Sequence, residues 1–235
     1  STSSVRENPR PEPLSNLDDL PFLDFSLINL DVYLQFQDRL KMPRWLFLCT
    51  SRGCTFRCSF CATPQLWPGP MRRCSVPRII REIQYQSARY PSSGIGFMDD
   101  SFFSDKSWLD EFFTAIEPLR IHYCCIGRAD LLEPLEIERL AATGCHYVAL
   151  GVETGDKDRQ KKIKKFLNLD KVKRNVELLA RRKILTKCFF MLGFPDETPV
   201  EMLVTINFAV ACARLGMNEC NFFPVSIYPG TELAR

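Results

Sequence analysis

From Arg44 onward, short apolar runs rich in β-branched and aromatic residues alternate with longer stretches in which apolar residues recur every three or four positions. The short runs have the length of buried strands, and the longer period is typical of helices that pack one face against a sheet. We therefore predict six strands, near Trp45–Cys49, Gly94–Met98, His122–Ile126, Tyr147–Val152, Lys187–Leu192 and Asn221–Ile227.

Five helices are predicted between these strands. Gly144 and Gly216 follow two of them, as glycine often does at a helix end. The helical periods cover Ile79–Tyr90, Leu109–Ile116, Pro134–Ala142, Val172–Leu179 and Leu203–Ala213.

Strict alternation of strands and helices predicts an α/β fold with a parallel sheet and right-handed crossovers. Each predicted strand–helix unit takes about 30 residues, as βαβ units do. A closed eight-stranded barrel needs about 250 residues, so the chain has room for six units. A doubly wound open sheet is the competing architecture, but its Gly-x-Gly-x-x-Gly fingerprint does not follow the first strand.

The first 43 residues differ from the rest of the chain. They hold five of the 16 prolines, and no apolar period persists in them. We predict a linker or wrapping arm over residues 1–43 and a core domain over residues 44–235.

Composition and charge exclude several classes of protein. With 46% hydrophobic and 25% charged residues, the chain has the composition of a globular protein. A net charge of +3 does not indicate nucleic acid, and two histidines make a histidine-based metal site or catalytic dyad a poor starting hypothesis. Neither a long apolar run nor a signal peptide is present, so we expect no membrane partner and a reducing, cytoplasmic location.

Eleven cysteines are the unusual feature of the composition. Cys54, Cys58 and Cys61 cluster directly after the first predicted strand, where parallel α/β folds bind ligands. A zinc site would need a fourth ligand, for which Cys74 is the nearest spare thiol. The alternative that we favour is an iron–sulfur cluster on three thiolates, which leaves one iron open. The other eight cysteines, Cys49 among them, are predicted to be buried as small apolar residues.

The Cys-x3-Cys-x2-Cys spacing, with Phe60 before the last cysteine, resembles the signature of radical S-adenosylmethionine (SAM) enzymes. The resemblance implies a [4Fe–4S] cluster on the three cysteines and SAM chelated to the open iron. It further implies reductive cleavage of SAM to a 5′-deoxyadenosyl radical. The implied fold is a partial (β/α)6 TIM-like barrel, which agrees with the six units predicted above.

The resemblance extends to residues after the other strands. It implies a contact to the methionyl amino group after the second strand, a ribose contact after the fourth, and adenosine contacts after the fifth and sixth. Asp196 stands where the family usually has glycine. The residues implied to bind SAM are Phe60, Asp99, Asp100, Glu153, Thr154, Gly193, Glu197 and Tyr228.

Two basic positions also match the family without an assigned role. Arg128 follows the third strand, and Lys165 ends a basic run that begins at Lys157. Such runs are usually solvated helix faces, and we predict one here.

The Asp99-Asp100 pair and the Asp19-Leu-Pro-Phe22 segment resemble the branch of the family that carries cobalamin-binding domains. This implies a methyltransferase or another radical transferase or oxidoreductase, with cobalamin held by a domain outside this chain. We therefore expect the chain to be part of a longer enzyme, or a relative that lacks that domain.

Several alternatives remain open at the level of sequence. They are a methylthiotransferase acting on tRNA or a ribosomal protein, a maturase or coproporphyrinogen-type enzyme, and a non-catalytic iron–sulfur or zinc scaffold. The expected partners are a small-molecule or peptide substrate and an external electron donor of the flavodoxin or ferredoxin type. A nucleic-acid partner is not expected.

Overall fold

A computed structural model of the chain describes residues 8–9, 11–39, 44–91 and 93–235. In these ranges the strands are β1 (Trp45–Leu48), β2 (Ser51–Arg52), β3 (Arg72–Arg73), β4 (Gly94–Phe97), β5 (Tyr123–Arg128), β6 (Cys145–Glu153), β7 (Leu185–Leu192) and β8 (Glu219–Pro224). The α-helices are α1 (Leu30–Arg39), α2 (Thr63–Leu66), α3 (Val76–Arg89), α4 (Lys106–Ile116), α5 (Pro134–Ala142), α6 (Lys157–Lys162), α7 (Leu169–Arg181) and α8 (Pro199–Arg214). Short 3-10 helices cover Leu17–Asp19, Phe25–Leu27, Phe102–Ser104, Glu117–Leu119 and Glu232–Ala234.

Six of these strands form one sheet in the order β1-β4-β5-β6-β7-β8, and every neighbouring pair is parallel. Because the order never reverses, right-handed crossovers place all the connecting helices on the same side of the sheet. A doubly wound sheet would reverse its order and carry helices on both faces. The α/β partial barrel is therefore confirmed, and we call the side without crossover helices the inner face.

Alternation along the strands separates the core from the inner face. In β1, Leu46 and Leu48 are buried beneath the helices, whereas Phe47 between them is 47% exposed. The six predicted strands and five predicted helices are all present, although β8 ends at Pro224 rather than Ile227. None of the helices in the described ranges has the length and apolar character needed to cross a membrane.

Helix α1 was not predicted, because it shows no regular apolar stripe. Only Leu34 is buried in it, while Val32, Tyr33 and Phe36 are exposed. Helix propensity without an apolar face leaves no periodic signal in the sequence.

The amino-terminal arm is attached to α3 through a buried ion pair. Arg78 and Glu82 lie 2.6 Å apart with almost no exposure. Glu82 accepts a hydrogen bond from the Leu23 amide at 2.8 Å, and Arg78 donates to the carbonyls of Leu20 and Pro21. The predicted boundary after residue 43 lies beside residues 40–43, which are outside the described ranges.

The cysteines outside the cluster are not all buried. Cys49 and Cys220 are exposed, so for these two the predicted burial is wrong. Cys49 follows β1 at the ligand-binding edge, and Cys220 lies on β8, the last strand of the sheet. The remaining six, Cys74, Cys124, Cys125, Cys145, Cys188 and Cys212, are buried as predicted.

We predict that Glu82→Ala lowers the free energy of unfolding by about 3–5 kcal/mol, because it leaves the Arg78 charge buried without a partner. Urea unfolding measures this change. The matched control is Glu177→Ala in the exposed Glu177–Arg181 pair, which should cost about 0–0.5 kcal/mol. Equal losses in the two variants would contradict the role of burial.

Candidate active site

The cysteine loop lies between β2 and α2, at the carboxyl edge of the sheet. Within the loop, the Cys61 amide donates to the Cys58 carbonyl at 3.1 Å. The Ser59 amide donates to the carbonyl of Ile163, which anchors the loop to the segment after α6. The Thr63 amide points at the Cys61 sulfur at 3.5 Å. Backbone hydrogen bonds thus hold the loop, and none of its three cysteines forms a disulfide.

All three thiols line one cavity of about 330 Å³. The rest of its wall comes from the ends of β4, β5, β6 and β7 and from the segments that follow them, including Asp99, Asp100, Arg128, Glu153, Lys165 and Phe189. Among the described residues, no three His, Cys, Asp or Glu side chains are grouped closely enough to hold a single metal ion. Three cysteines that line one cavity offer the soft thiolate donors that an iron–sulfur cluster uses. The residues present therefore fit such a cluster.

The electrostatics of the loop depend on its cationic neighbours. Burial raises the pKa of the Cys54 and Cys58 thiols. For Cys58, the positive charges of Lys165 and Arg128 act in the opposite direction and favour the thiolate. Metal ligation requires thiolates, so these two cations support it.

Asp99 and Asp100 have different surroundings despite being neighbours. Asp99 is 3% exposed and accepts hydrogen bonds from the Thr50 amide and from the hydroxyls of Thr50 and Ser51. Burial raises the pKa of Asp99, although these hydrogen bonds and the nearby Arg73 oppose the change. Asp100 is exposed and accepts one hydrogen bond, from Thr63 at 3.1 Å. Asp99 therefore joins the ends of β1 and β4, and Asp100 is the carboxylate accessible from the cavity.

Glu153 and Lys165 form a buried ion pair on the cavity wall. Their charged atoms are 2.6 Å apart, and the side chains are 12% and 6% exposed. Glu153 has a left-handed backbone with φ of 68°, an unfavourable conformation for a residue other than glycine. A side chain at Gly151 would place its Cβ 2.8 Å from the Glu153 carboxylate and 2.9 Å from the Lys165 ammonium. A larger residue at position 151 would therefore displace the charged ends of this pair.

Arg128 adjoins this pair. It binds Asp130 and donates to the Lys165 carbonyl at 2.7 Å, and its guanidinium lies 3.8 Å from the centre of the Phe56 ring. The side chain is 8% exposed, and its Nη1 atom has no hydrogen-bond partner among the described residues. A buried donor without a partner is costly, and here it belongs to a residue of the cavity wall.

A second cavity of about 500 Å³ adjoins the first. Phe60, Cys61, Glu153 and Phe189 line both cavities, and Tyr228 and Phe223 line the second alone. The Phe60 ring meets Phe194 edge-on, with 6.3 Å between the ring centres. The structure thus brings Phe60, Asp99, Asp100, Glu153 and Tyr228 together with the three cysteines.

Three other residues that sequence reasoning linked to SAM line neither cavity. The Thr154 hydroxyl is buried against Thr205 of α8 at 2.9 Å. Glu197 accepts hydrogen bonds from the amides of Gly193 and Phe194 at 2.6 and 3.1 Å, so it closes the turn after β7. These contacts of Thr154 and Glu197 are made within the chain, and Glu197 Oε1 is buried without a hydrogen-bond partner among the described residues. The contacts of Thr154, Gly193 and Glu197 with SAM stay predictions.

Comparison with known proteins defines the family. Residues 48–209 match the radical SAM superfamily. This chain is a member of that superfamily. Its members use a [4Fe–4S] cluster and SAM.

Curated proteins similar to this chain include methyltransferases and, at 24–25% identity, methylthiotransferases. The uncharacterized methyltransferase PH0819 of Pyrococcus horikoshii is 29% identical over 97% of this chain and 49% of its own length. The hopanoid C-3 methylase of Methylococcus capsulatus is 31% identical over 87% of this chain and 40% of its own length. The chain spans about half or less of these relatives.

Solved structures support the radical SAM fold. The methyltransferase TsrM of Kitasatospora setae, solved with cobalamin and a [4Fe–4S] cluster, matches with a TM-score of 0.72 at 19% identity. The match covers 80% of this chain and 35% of TsrM. At this level of identity the likeness shows the fold alone.

Behind the cysteine loop of this radical SAM chain lies a network that sequence reasoning missed. Arg159 is 1% exposed, lies 5.6 Å from the Phe194 ring centre and binds Asp196 and Glu201. Lys162 binds Asp196 at 2.9 Å. Asp196, at the position of the family glycine, thus adds an ionic link to the turn.

The predicted solvated face over residues 157–165 is wrong at two positions, Arg159 and Lys165. Both side chains are buried, because their charges meet carboxylates from other segments of the chain. Phe56 and Gly151 were also missed. Phe56 lies two residues after Cys54, and Gly151 lies two residues before Glu153. This closeness to predicted site residues is the only indication in the sequence that the two belong to the site.

We predict that Asp196→Asn destabilises the protein at neutral pH and not near pH 2. Lys162 and Arg159 lower the pKa of Asp196 from 3.8 to about 2. Its ionic stabilisation is therefore complete above pH 3.8 and is lost as the pH falls through about 2. Since the side chain is 60% exposed, we expect a screened effect of about 0.5–1 kcal/mol.

Urea unfolding of both proteins between pH 7 and pH 2 measures this difference. Asp158→Asn, which removes a more exposed carboxylate paired with Lys161, serves as the control. A difference that does not change with pH would contradict the ionic link.

Proposed function

We propose that this chain is the radical-generating core of a SAM-dependent methyltransferase that modifies a small molecule. The observation that carries the proposal is the position of three free cysteine thiols in one cavity with an accessible carboxylate and a buried, unpartnered guanidinium nitrogen. Thiolates can hold the cluster. A carboxylate can bind the amino group of an amino acid, and a cation can bind its carboxylate.

Cys54, Cys58 and Cys61 hold the cluster in this proposal. When bound, a [4Fe–4S] cluster supplies one electron that breaks the C5′–S bond of SAM, giving methionine and a 5′-deoxyadenosyl radical. The chain contributes two aromatic rings beside the space proposed for that bond, because Phe60 and Phe189 line both cavities.

The methionyl end of SAM fits the groups of the first cavity. Asp100 accepts a hydrogen bond from the ammonium, and Arg128 donates Nη1 to the carboxylate. Asp99 serves as a positioning residue, because its carboxylate is already engaged by Thr50 and Ser51. This gives Arg128 the role that sequence reasoning left unassigned.

The adenosine end of SAM fits the second cavity. Glu153 lies at the junction of the two cavities and is placed to accept a hydrogen bond from the ribose. The ion pair with Lys165 holds the Glu153 carboxylate in position. Tyr228 lines the second cavity and offers a ring against which adenine can pack.

Methyl transfer is proposed because relatives that match most of this chain, among them PH0819 and the hopanoid C-3 methylase, are methyltransferases. Cobalamin is proposed as a further cofactor because TsrM binds it, and no site for it is assigned within the described residues. The electron comes from an external flavodoxin-type or ferredoxin-type donor. An intracellular, reducing location is proposed, because all eleven cysteines are free.

We predict that anaerobically reconstituted protein binds about four irons and forms 5′-deoxyadenosine from SAM with dithionite. Cys58→Ala removes one ligand and should abolish 5′-deoxyadenosine formation, with loss of most of the iron and sulfide. The matched control is Cys220→Ala, an exposed cysteine outside the loop, which should retain both. Stoichiometric zinc without sulfide in the wild type would instead support a non-catalytic scaffold.

We further predict that Arg128→Met weakens SAM binding at least tenfold in protein matched for iron content, because the lost Nη1 contacts the SAM carboxylate, whereas Lys165 still favours the Cys58 thiolate. Equilibrium dialysis with labelled SAM measures the affinity. Arg139→Met, which removes a half-buried arginine on α5, controls for the loss of charge. An unchanged SAM affinity in Arg128→Met would refute its assignment.

A further inference from the structure

A third cavity lies between the amino-terminal arm and the short ladder formed by β2 and β3. Its volume is about 520 Å³, and none of the described residues that line it lines either of the two cavities above. Arm residues 11–14, 17 and 20 form one side, and Arg52, Arg72 and residues 65–68 form the other. We call this space the arm cavity. Because β2 precedes the cysteine loop and β3 follows it, the arm cavity lies at the base of that loop.

The two faces of the β2–β3 ladder carry different side chains. Ser51 is paired with Arg73, and Arg52 with Arg72, while successive side chains of a strand point to opposite faces. Ser51 faces the active site, where its hydroxyl donates to Asp99. Arg52 and Arg72 therefore face away from the active site, into the arm cavity.

Arg52 and Arg72 are like charges placed directly opposite each other. The Cβ atoms of such a cross-strand pair are about 5 Å apart, and like charges at that position destabilise the ladder. Arg73, on the other face, lies near the negative charges of Asp99 and Asp105. Within the described part of the chain, neither Arg52 nor Arg72 forms an ion pair. The ladder thus holds two positive charges together without a described counter-charge.

Both guanidiniums keep donors that the described residues do not use. Arg72 donates Nη1 to the Leu14 carbonyl at 2.6 Å, and its Nε atom is buried without a described partner. Arg52 donates Nη1 to the Ser51 carbonyl at 3.2 Å and lies 5.3 Å from the Trp67 ring centre. A guanidinium has five N–H donors and binds the oxygens of phosphate or carboxylate groups in pairs. Two such groups are therefore available to one anion.

The rest of the arm cavity is mostly apolar. Leu14, Leu66 and Trp67 line it and are partly exposed, at 43%, 68% and 37%, and prolines 11, 13 and 68 complete the wall. Glu12 is the one carboxylate among the described lining residues, and it is exposed. A cavity of this volume is in the range of sites for small molecules. The arm cavity thus combines two cations with apolar walls that can hold an organic group.

We propose that the arm cavity binds a phosphate monoester, with Arg52 and Arg72 on the phosphate and the apolar wall around the organic part. A phosphate monoester carries a charge of about −1.5 to −2 at neutral pH, which matches two guanidiniums better than a single negative charge does. The bound phosphate offsets the repulsion between the two arginines. It also joins the arm to the ladder from which the cysteine loop extends. This site is separate from SAM and from the reaction of the proposed function.

The test compares phenyl phosphate with phenyl sulfate, which has the same shape and one negative charge fewer. Reconstituted protein saturated with SAM, without reductant, is titrated with each probe by calorimetry at slightly alkaline pH. The bound SAM keeps the probes away from Arg128 and Lys165. We expect phenyl phosphate to bind at least tenfold more tightly than phenyl sulfate. Inorganic phosphate, the third probe, should bind more weakly than phenyl phosphate, because it has no group to place against the apolar wall.

Arg52→Gln and Arg72→Gln should each weaken binding of phenyl phosphate at least tenfold, because each removes one charged fork. Arg52→Gln keeps the test informative if Arg72→Gln loosens the arm, since Arg72 holds the Leu14 carbonyl. Arg214→Gln, which removes an exposed arginine at the end of α8, should bind phenyl phosphate like the wild type.

A second readout separates a ligand site from a purely structural role of the two arginines. Phenyl phosphate should raise the urea midpoint of the wild type and leave that of Arg52→Gln unchanged, because a ligand stabilises only a protein that binds it. Equal affinity for phenyl phosphate and phenyl sulfate, or for phenyl phosphate and inorganic phosphate, would overturn the proposal. So would absence of binding, or wild-type affinity in both arginine variants. Neither readout depends on cleavage of SAM, so the proposed function can fail without deciding this result.

Discussion

The hydrogen bonds that join β1 to β4, and each later strand of the sheet to the next, all connect strands that run in the same direction. Parallel pairing in chain order brings six strand ends to one edge of the sheet, and it moves every crossover helix to one side. The cysteine loop and the segments after β4, β5 and β6 meet because of this polarity and not because they are close in sequence. It also leaves the inner face without crossover helices.

The charged side chains at that edge are stabilised by partners close to them. Glu153, Lys165, Arg128 and Asp99 are largely buried, and each is held by an opposite charge or by several hydrogen-bond donors. Buried ion pairs contribute little net stability, but loss of one partner is expensive. These pairs therefore fix the geometry of the cavity wall more than they strengthen the fold.

Elements with a strong local pattern could be predicted from the sequence. The helix Pro134–Ala142 has its predicted bounds, because Pro134 begins it and a capping box and Gly144 delimit it. Helix α1 could not be predicted, because it has no buried stripe. The burial of Arg159 could not be predicted from the sequence, because its partner Asp196 lies 37 positions away and is brought near only by tertiary packing. Among the residues implied by resemblance, the structure places Phe60, Asp99, Asp100, Glu153 and Tyr228 along the two cavities. The contact between the Thr154 hydroxyl and Thr205 of α8 depends on the packing of a distant helix, which a motif does not encode.

Phe60 lines both cavities, and this has a thermodynamic consequence for the two ends of SAM. In the proposed function the methionyl end occupies the first cavity and the adenosine end the second, so both ends contact the same ring. A ring restricted by one end has already lost the freedom that the other end would otherwise remove. Methionine and adenosine offered as separate molecules would then change each other's affinity by the same factor, whichever of them binds first.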